Sequence, residues 1–280
     1  MVVSKQLEQL EYEDDIEAIS DFPLRPDLNR KEQKEAEFLR TMTRGVMLVT
    51  GQPGSGKDLF GASIAWLNKY YFGRRILLDF IPKRAFGEYT LFNAKVMMQE
   101  IEKMARLAGT DDIYAEKKKQ KEQGEFVEDI SKKWVEQQGE VLLKGSVLYL
   151  SELKRYCYNR NPHNPFNKFI GSICTVWRHL DLLVIGTHVQ KHEIDQYSFL
   201  EYVTHWGKCS WSLSRPNTTD VTITRGAFIG AGGVYDVTAK PVVLHVDGGK
   251  PRDILGGKRF YDLYHTKNMV NLKPVIRREL

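Results

Sequence analysis

Residues 51 to 60 read GQPGSGKDLF, and their types and spacing are those of an anion cradle. Gly54 and Gly56 carry no Cβ to hold backbone N–H groups away from an anion. Lys57 brings a point charge suited to the β- and γ-phosphates of a nucleotide. With Gly51, Gln52, Pro53 and Ser55 these residues complete the spacing G-x-x-x-x-G-K, and Asp58 and Leu59 open the element that follows. The chemistry is binding of a nucleoside triphosphate, with ATP and Mg²⁺ the expected cofactors. A Gly-rich turn without a ligand is the competing reading, and the flanking elements must decide between them.

Asp58 stands where a serine or threonine hydroxyl would ordinarily reach Mg²⁺. The ion accepts hard oxygen ligands of either kind, so an acid there fits a metal role, directly or through water. Three readings follow: a disabled site, a different kind of nucleotide enzyme, or a working site with its parts rearranged.

The stretch VLYLSE runs large apolar residues into Ser151 and Glu152, the pattern of a buried strand delivering a carboxylate to the edge of a nucleotide. Ring-forming ATPases commonly end this strand in Asp-Glu, the Asp serving the metal and the Glu polarising the attacking water. Here the hydroxyl missing at position 58 appears at Ser151, and the acid missing at 151 appears at Asp58. The two positions read as an exchange of metal-side roles, with Glu152 the catalytic acid. An acid that merely starts a helix is the plainer alternative for Glu152. A later run, DLLVIGTH, ends in Thr187, with Gln190 shortly after, and either is a candidate sensor of the γ-phosphate.

The elements that must position these residues are legible as alternating strand and helix patterns. GVMLVTG is a short buried strand entering the Gly-rich loop, and Phe60, Ile64, Leu67 and Tyr71 recur at helical spacing after it. Further strands are expected over 74–81 (RRILLDFI), 145–152 (GSVLYLSE) and 181–188 (DLLVIGTH). Helices are expected around Met97, Ile101, Met104 and Leu107, and around Phe166, Phe169, Ile173 and Val176. From residue 206 the texture changes to alternating Thr- and Val-rich segments with Gly-Gly turns, which read as strands and hairpins. The expected fold is α/β, a mainly parallel sheet flanked by helices, with a small strand-rich C-terminal part. The expected division is a charged arm over 1–44, a core over 45–205 with a charged helical insertion at about 111–140, and an extension over 206–280.

Composition narrows the class further. The chain has 280 residues, 42% apolar and 28% charged, which is ordinary for a soluble globular protein. Lys and Arg number 41 against 36 Asp and Glu, a balance that permits a nucleic-acid partner without requiring one. Cys157, Cys174 and Cys209 have neither the number nor the spacing of a disulfide framework or a structural zinc site, and a cytoplasmic location is expected. No signal peptide and no transmembrane segment is expected.

The succession GQPGSGKD, VLYLSELKRY and VWRHLDLLVIGTHVQ resembles the P-loop ATPases of the FtsK/HerA superfamily, especially zonular occludens toxin-like phage proteins and viral genome-packaging ATPases. The resemblance covers residues 45 to 195, and it departs from the pattern at Asp58 and Ser151. It implies that Lys57 is the phosphate-loop lysine, Glu152 the catalytic acid and Gln190 the sensor. It implies a strand carrying the catalytic acid inserted beside the phosphate-loop strand, and a homomeric ring, such as a hexamer, in which an arginine reaches the neighbour's nucleotide. Arg178 is the first candidate for that arginine and Arg215, in SLSRP, the second. DNA is the implied partner, with docking to a viral or membrane portal, and the host cytoplasm or the virion the implied location.

Other segments carry weaker signals. Residues 154 to 168, KRYCYNRNPHNPFNK, interleave basic and aromatic side chains with Asn and Pro, a mixture that can track a phosphate backbone or simply form a surface loop. Two further function classes compete with an ATP-driven DNA translocase. A P-loop kinase would use G-K-D in a normal site, with Asp79 contacting the phosphate acceptor, although no Arg-rich lid is visible. A nucleotide-dependent assembly switch would hydrolyse ATP slowly, and Asp58 and Ser151 favour it.

Overall fold

Parallel strands covered on both faces are written as unbroken apolar runs, and the strands nearest the Gly-rich loop follow that rule. A computed structural model describes residues 22–92, 141–160, 165–213, 218–225 and 242–246, together with Phe260 and Leu263. β1 (Gly45–Gly51) is buried along almost its whole length, as are β2 (Ile76–Leu78), β4 (Val147–Leu150) and β5 (Leu183–His188). β3 (Thr90–Leu91) is a short exposed edge strand. β6 (Val203–Trp211), β7 (Thr219–Arg225) and β8 (Val242–Val246) complete one eight-stranded sheet in the order β3-β2-β4-β5-β1-β6-β7-β8. Every pairing from β3 to β6 is parallel, and the β6–β7 and β7–β8 pairings are antiparallel.

Helices cover both faces. α1 (Arg30–Arg40) begins with a capping box in which Asn29 accepts from the Glu32 backbone N–H and Glu32 accepts from that of Asn29. Together with α2 (Lys57–Phe72) it packs on one face, where Leu39, Ile64 and Leu67 meet Met47 and Val49 of β1. α3 (Pro165–Thr175) covers the other face, its Phe169, Ile170 and Ile173 meeting Val46, Leu48 and Val184. At the edge of the sheet away from the loop, buried Arg74 donates to the carbonyls of Gly145, Ser146 and Asp181, at 2.9, 2.7 and 2.6 Å. That guanidinium ties the starts of β4 and β5 to the end of α2.

The α/β class and its mainly parallel, helix-flanked sheet are therefore as expected, and three details differ. The strand expected over 74–81 contracts to Ile76–Leu78, after which the chain turns Asp79 inward. The acid-bearing strand β4 does not neighbour β1, because β5 pairs with both and lies between them. The texture change at 206 falls inside β6, which continues the sheet as the parallel neighbour of β1 on its other side. The expected helix around Met97, the insertion at 111–140 and residues 1–21 lie outside the described residues. So do most of the RGAFIGAGG turn and most of the chain's last 34 residues.

Candidate functional site

The carboxyl ends of β1, β4 and β5 all point to one edge of the sheet, which is where open α/β sheets bind ligands. The loop after β1 is exposed at Gln52, Pro53 and Gly54, and it closes by a Ser55 N–H bond to the Gln52 carbonyl at 3.0 Å. Gly56 takes φ 82°, and a Cβ there would lie 2.0 Å from Thr219 Oγ1, so only glycine fits between the loop and β7. Ser55 Oγ is buried and has no hydrogen-bond partner among the described residues. A cradle that excludes Cβ, with an unsatisfied buried hydroxyl and a following sixteen-residue helix, fits a phosphate chain.

Lys57, the first residue of α2, is buried, and its Nζ lies 2.8 Å from Asp58 Oδ2 and 3.6 Å from Glu152 Oε1. Burial pulls the ammonium pKa down, but Asp58 and then Glu152 outweigh it and leave the pKa raised. Asp58 is held twice more: Thr187 Oγ1 donates to its Oδ1 at 2.6 Å, and the Tyr149 hydroxyl donates to its carbonyl at 3.0 Å. Three strands and the helix thus meet at one lysine and two carboxylates. Leu59 is half-buried beside them and packs against the core.

Glu152 sits just past β4 with φ 54° and ψ 61°, a left-handed conformation that costs a non-glycine residue about 1–3 kcal/mol. The backbone holds its carboxylate over the loop, and its N–H reaches Thr187 Oγ1 at 3.4 Å. His188 and then Lys57 hold its carboxyl below the usual range, against the opposing effect of burial. His188 is itself buried, its Nδ1 3.7 Å from Glu152 Oε2 and its Nε2 2.7 Å from Glu193 Oε2. Glu193 in turn receives Lys154 Nζ on Oε1 at 2.9 Å. Lys154 and His188 hold the Glu193 carboxyl near 2.

Ser151 is fully buried, and its N–H donates to Asp79 Oδ1 at 2.9 Å. Asp79 Oδ2 accepts from the Tyr156 hydroxyl at 3.0 Å. Both carboxylate oxygens of Asp79 are therefore used to clamp the end of β4, and burial lifts its pKa to about 7. The role suggested for Asp79 under a kinase reading, contact with a phosphate acceptor, is corrected by this inward turn.

The remaining predicted residues are more dispersed. Gln190 is exposed beyond the end of β5 and precedes the turn Lys191–Glu193. Arg178 is exposed before β5 begins, at the edge of the sheet opposite the loop, with its guanidinium 5.2 Å from the Trp177 ring centroid. Arg215 lies outside the described residues. In the basic segment, Lys154 lies 4.8 Å from the Tyr158 ring, and Arg155 and Arg160 are exposed. His188 and Glu193 were not legible from sequence as site residues. The only available signal was the pair of polar residues, Thr187 and His188, closing a buried strand.

Strand, glycine loop and helix, set centrally in a parallel sheet with a carboxylate arriving from a second strand, define the P-loop NTPase type of α/β fold. No protein-family model matches this sequence. No curated protein matches it either. Among solved structures it is similar to the N-terminal domain of zonular occludens toxin from Neisseria meningitidis, at 13% identity and TM-score 0.46, over 80% of this chain and 100% of that one. It is also similar to a KaiC-like protein from the hyperthermophilic archaeon Pyrococcus horikoshii OT3, at 10% identity and TM-score 0.35, over 75% and 87% of the two chains. A solved ATPase domain shares 13% identity at TM-score 0.39, over 88% of this chain and 93% of that one.

Proposed function

We propose that this protein binds ATP with Mg²⁺ in the cradle formed by Gly51, Gln52, Pro53, Gly54, Ser55, Gly56 and Lys57, and hydrolyses it with Glu152 as general base. The observation that carries the reading is the sharing of the Lys57 ammonium between Asp58 and Glu152. An arriving triphosphate competes for that ammonium. As Lys57 turns to the phosphates, one oxygen of Asp58 and the Glu152 carboxylate are released together.

Glu152 then takes a proton from water as the water oxygen attacks the γ-phosphorus and the bond to the β-γ bridging oxygen breaks, leaving ADP and phosphate. Thr187 orients Asp58, and His188 holds the freed Glu152 over the loop. Asp58 and the Ser151 hydroxyl, both hard oxygens, would hold Mg²⁺, directly or through water. When bound, Mg²⁺ neutralises charge developing on the phosphate oxygens. Gln190 is the proposed γ-phosphate sensor.

The finer reading is a DNA translocase, a genome-packaging or DNA-transfer motor that works as a homomeric ring and docks to a viral or membrane portal. The motif order of the sequence favours it, and so does a basic, aromatic segment starting two residues after Glu152. Arg178, at the edge opposite its own loop, suits a role on a neighbouring subunit's nucleotide and not on its own.

The test is ATP turnover with and without DNA, alongside particle mass in solution with nucleotide. Several-fold stimulation that weakens with salt, in particles of many times 32.4 kDa, is expected. A flat response to DNA, or a particle that stays at the mass of one chain, overturns the motor reading.

A further inference from the structure

Glu152, just past β4, and Thr187, on β5, lie to one side of β1, and β6 lies on the other. With its terminal phosphate at Glu152, a nucleotide has the other side of β1, toward the end of β6, open to its nucleoside. β6 ends in Trp211, a large apolar side chain that is 54% exposed.

Four observations fix where that indole sits. In the parallel β1–β6 register Gly51 is opposite Cys209, so Trp211 stands two residues, about 6–7 Å, past the last residue of β1, level with the loop. Cys209 packs in the core on the α2 face, and side chains two apart share a face, so Trp211 is on the face toward which the loop folds. Across the hairpin Trp211 pairs with Thr219, the residue whose hydroxyl packs against Gly56. A Cβ at Gly54 would lie 3.6 Å from Trp211 Nε1, so the indole edge stands beside the loop.

We infer that Trp211 is the stacking platform for the nucleobase of the bound nucleotide. The inference rests on the nucleotide reading of the loop and adds the half of the ligand that the loop does not hold. An exposed indole beside a phosphate cradle offers a π-face to a purine, and base–aromatic stacking of this kind loses roughly 5- to 150-fold in affinity when the ring is removed.

The experiment compares ADP with inorganic pyrophosphate, which shares the phosphates and lacks the base, by equilibrium titration of the full chain. Trp211→Ala should weaken ADP about tenfold or more and leave pyrophosphate within about twofold. Trp211→Phe should keep ADP within a few-fold of the parent protein. Addition of ADP should quench indole fluorescence in the parent and not in Trp211→Phe. Equal weakening of ADP and pyrophosphate by Trp211→Ala would mean that the ring supports the loop and not the base, and would overturn the proposal. Unchanged ADP affinity in Trp211→Ala would overturn it as well. Failure of the underlying reading looks different: the parent would bind neither ADP nor pyrophosphate, or Lys57→Ala would bind both as the parent does.

Discussion

Thr187 donates its hydroxyl to the Asp58 carboxylate across 2.6 Å, joining the end of β5 to the first turn of α2. A serine at position 58 would bring its own hydroxyl to the metal. The acid that replaces it instead takes a hydroxyl from a neighbouring strand, and its second oxygen is ion-paired to Lys57 at 2.8 Å. Asp58 is therefore a positioned carboxylate with partners on both oxygens.

Thr187→Val should leave Asp58 free to rotate. Loss of a partner that orients a metal ligand typically costs about 10- to 100-fold in metal affinity. The Mg²⁺ concentration for half-maximal ATP hydrolysis should rise accordingly, measured by metal titration at saturating ATP. The role exchange with Ser151 is tested by combining Asp58→Ser with Ser151→Asp. The double variant should be more active than the poorer single variant, and non-additivity in the cycle measures the coupling.

His188 should act as a positioning residue for Glu152. Its Nε2 is held by Glu193 at 2.7 Å, which points Nδ1 toward Glu152. His188→Ala should lower kcat about 10- to 100-fold and leave KM for ATP within about threefold, because the histidine touches the base and not the nucleotide cradle. A change confined to KM would place His188 in substrate binding instead.

Two buried groups oppose one another in the dependence of stability on pH. His205 is held neutral, its pKa lowered to about 4 by burial and then by Arg225. The unfolded chain binds its proton first, so this contribution is complete above about 6.5 and is lost as pH falls toward 4. Asp79 is raised to about 7 from 3.8, so its contribution is complete below 3.8 and is lost as pH rises toward 7. The two slopes cancel over much of the same window. Thermal melts from pH 7 to 5 should show Tm falling on acidification in Asp79→Asn and rising in His205→Gln, relative to the parent. Parallel curves for all three would contradict the assignment.

The parts of the fold that were legible in sequence are those whose burial is written locally. β1, β4 and β5 are apolar on both faces, so GVMLVTG, VLYL and LVIGTH stand out without knowledge of their partners. β6 alternates buried and half-buried residues, with Gly207 and Lys208 in its middle, and so resembled the start of an appended hairpin. Its parallel pairing with β1 joins residues far apart in sequence and leaves no local mark. Asp79 looked like a strand-terminal acid facing the crevice. Its inward turn depends on partners 72 and 77 residues away, Ser151 and Tyr156. Lys57 and Glu152 were legible because the loop spacing and the strand's final acid are both contiguous signals.

In the proposed mechanism Glu152 is the base that activates water at a site where Lys57 binds the phosphates. Because the Glu152 carboxyl is held below the usual range, it stays ionised throughout the neutral range and needs no activation by pH. The direct measurement is single-turnover ATP hydrolysis by Glu152→Gln, with ATP binding titrated in parallel. ATP affinity should stay within a few-fold of the parent while hydrolysis slows about 10²- to 10⁴-fold, leaving ATP trapped on the protein. Hydrolysis at the parent rate with ATP bound would contradict that mechanism.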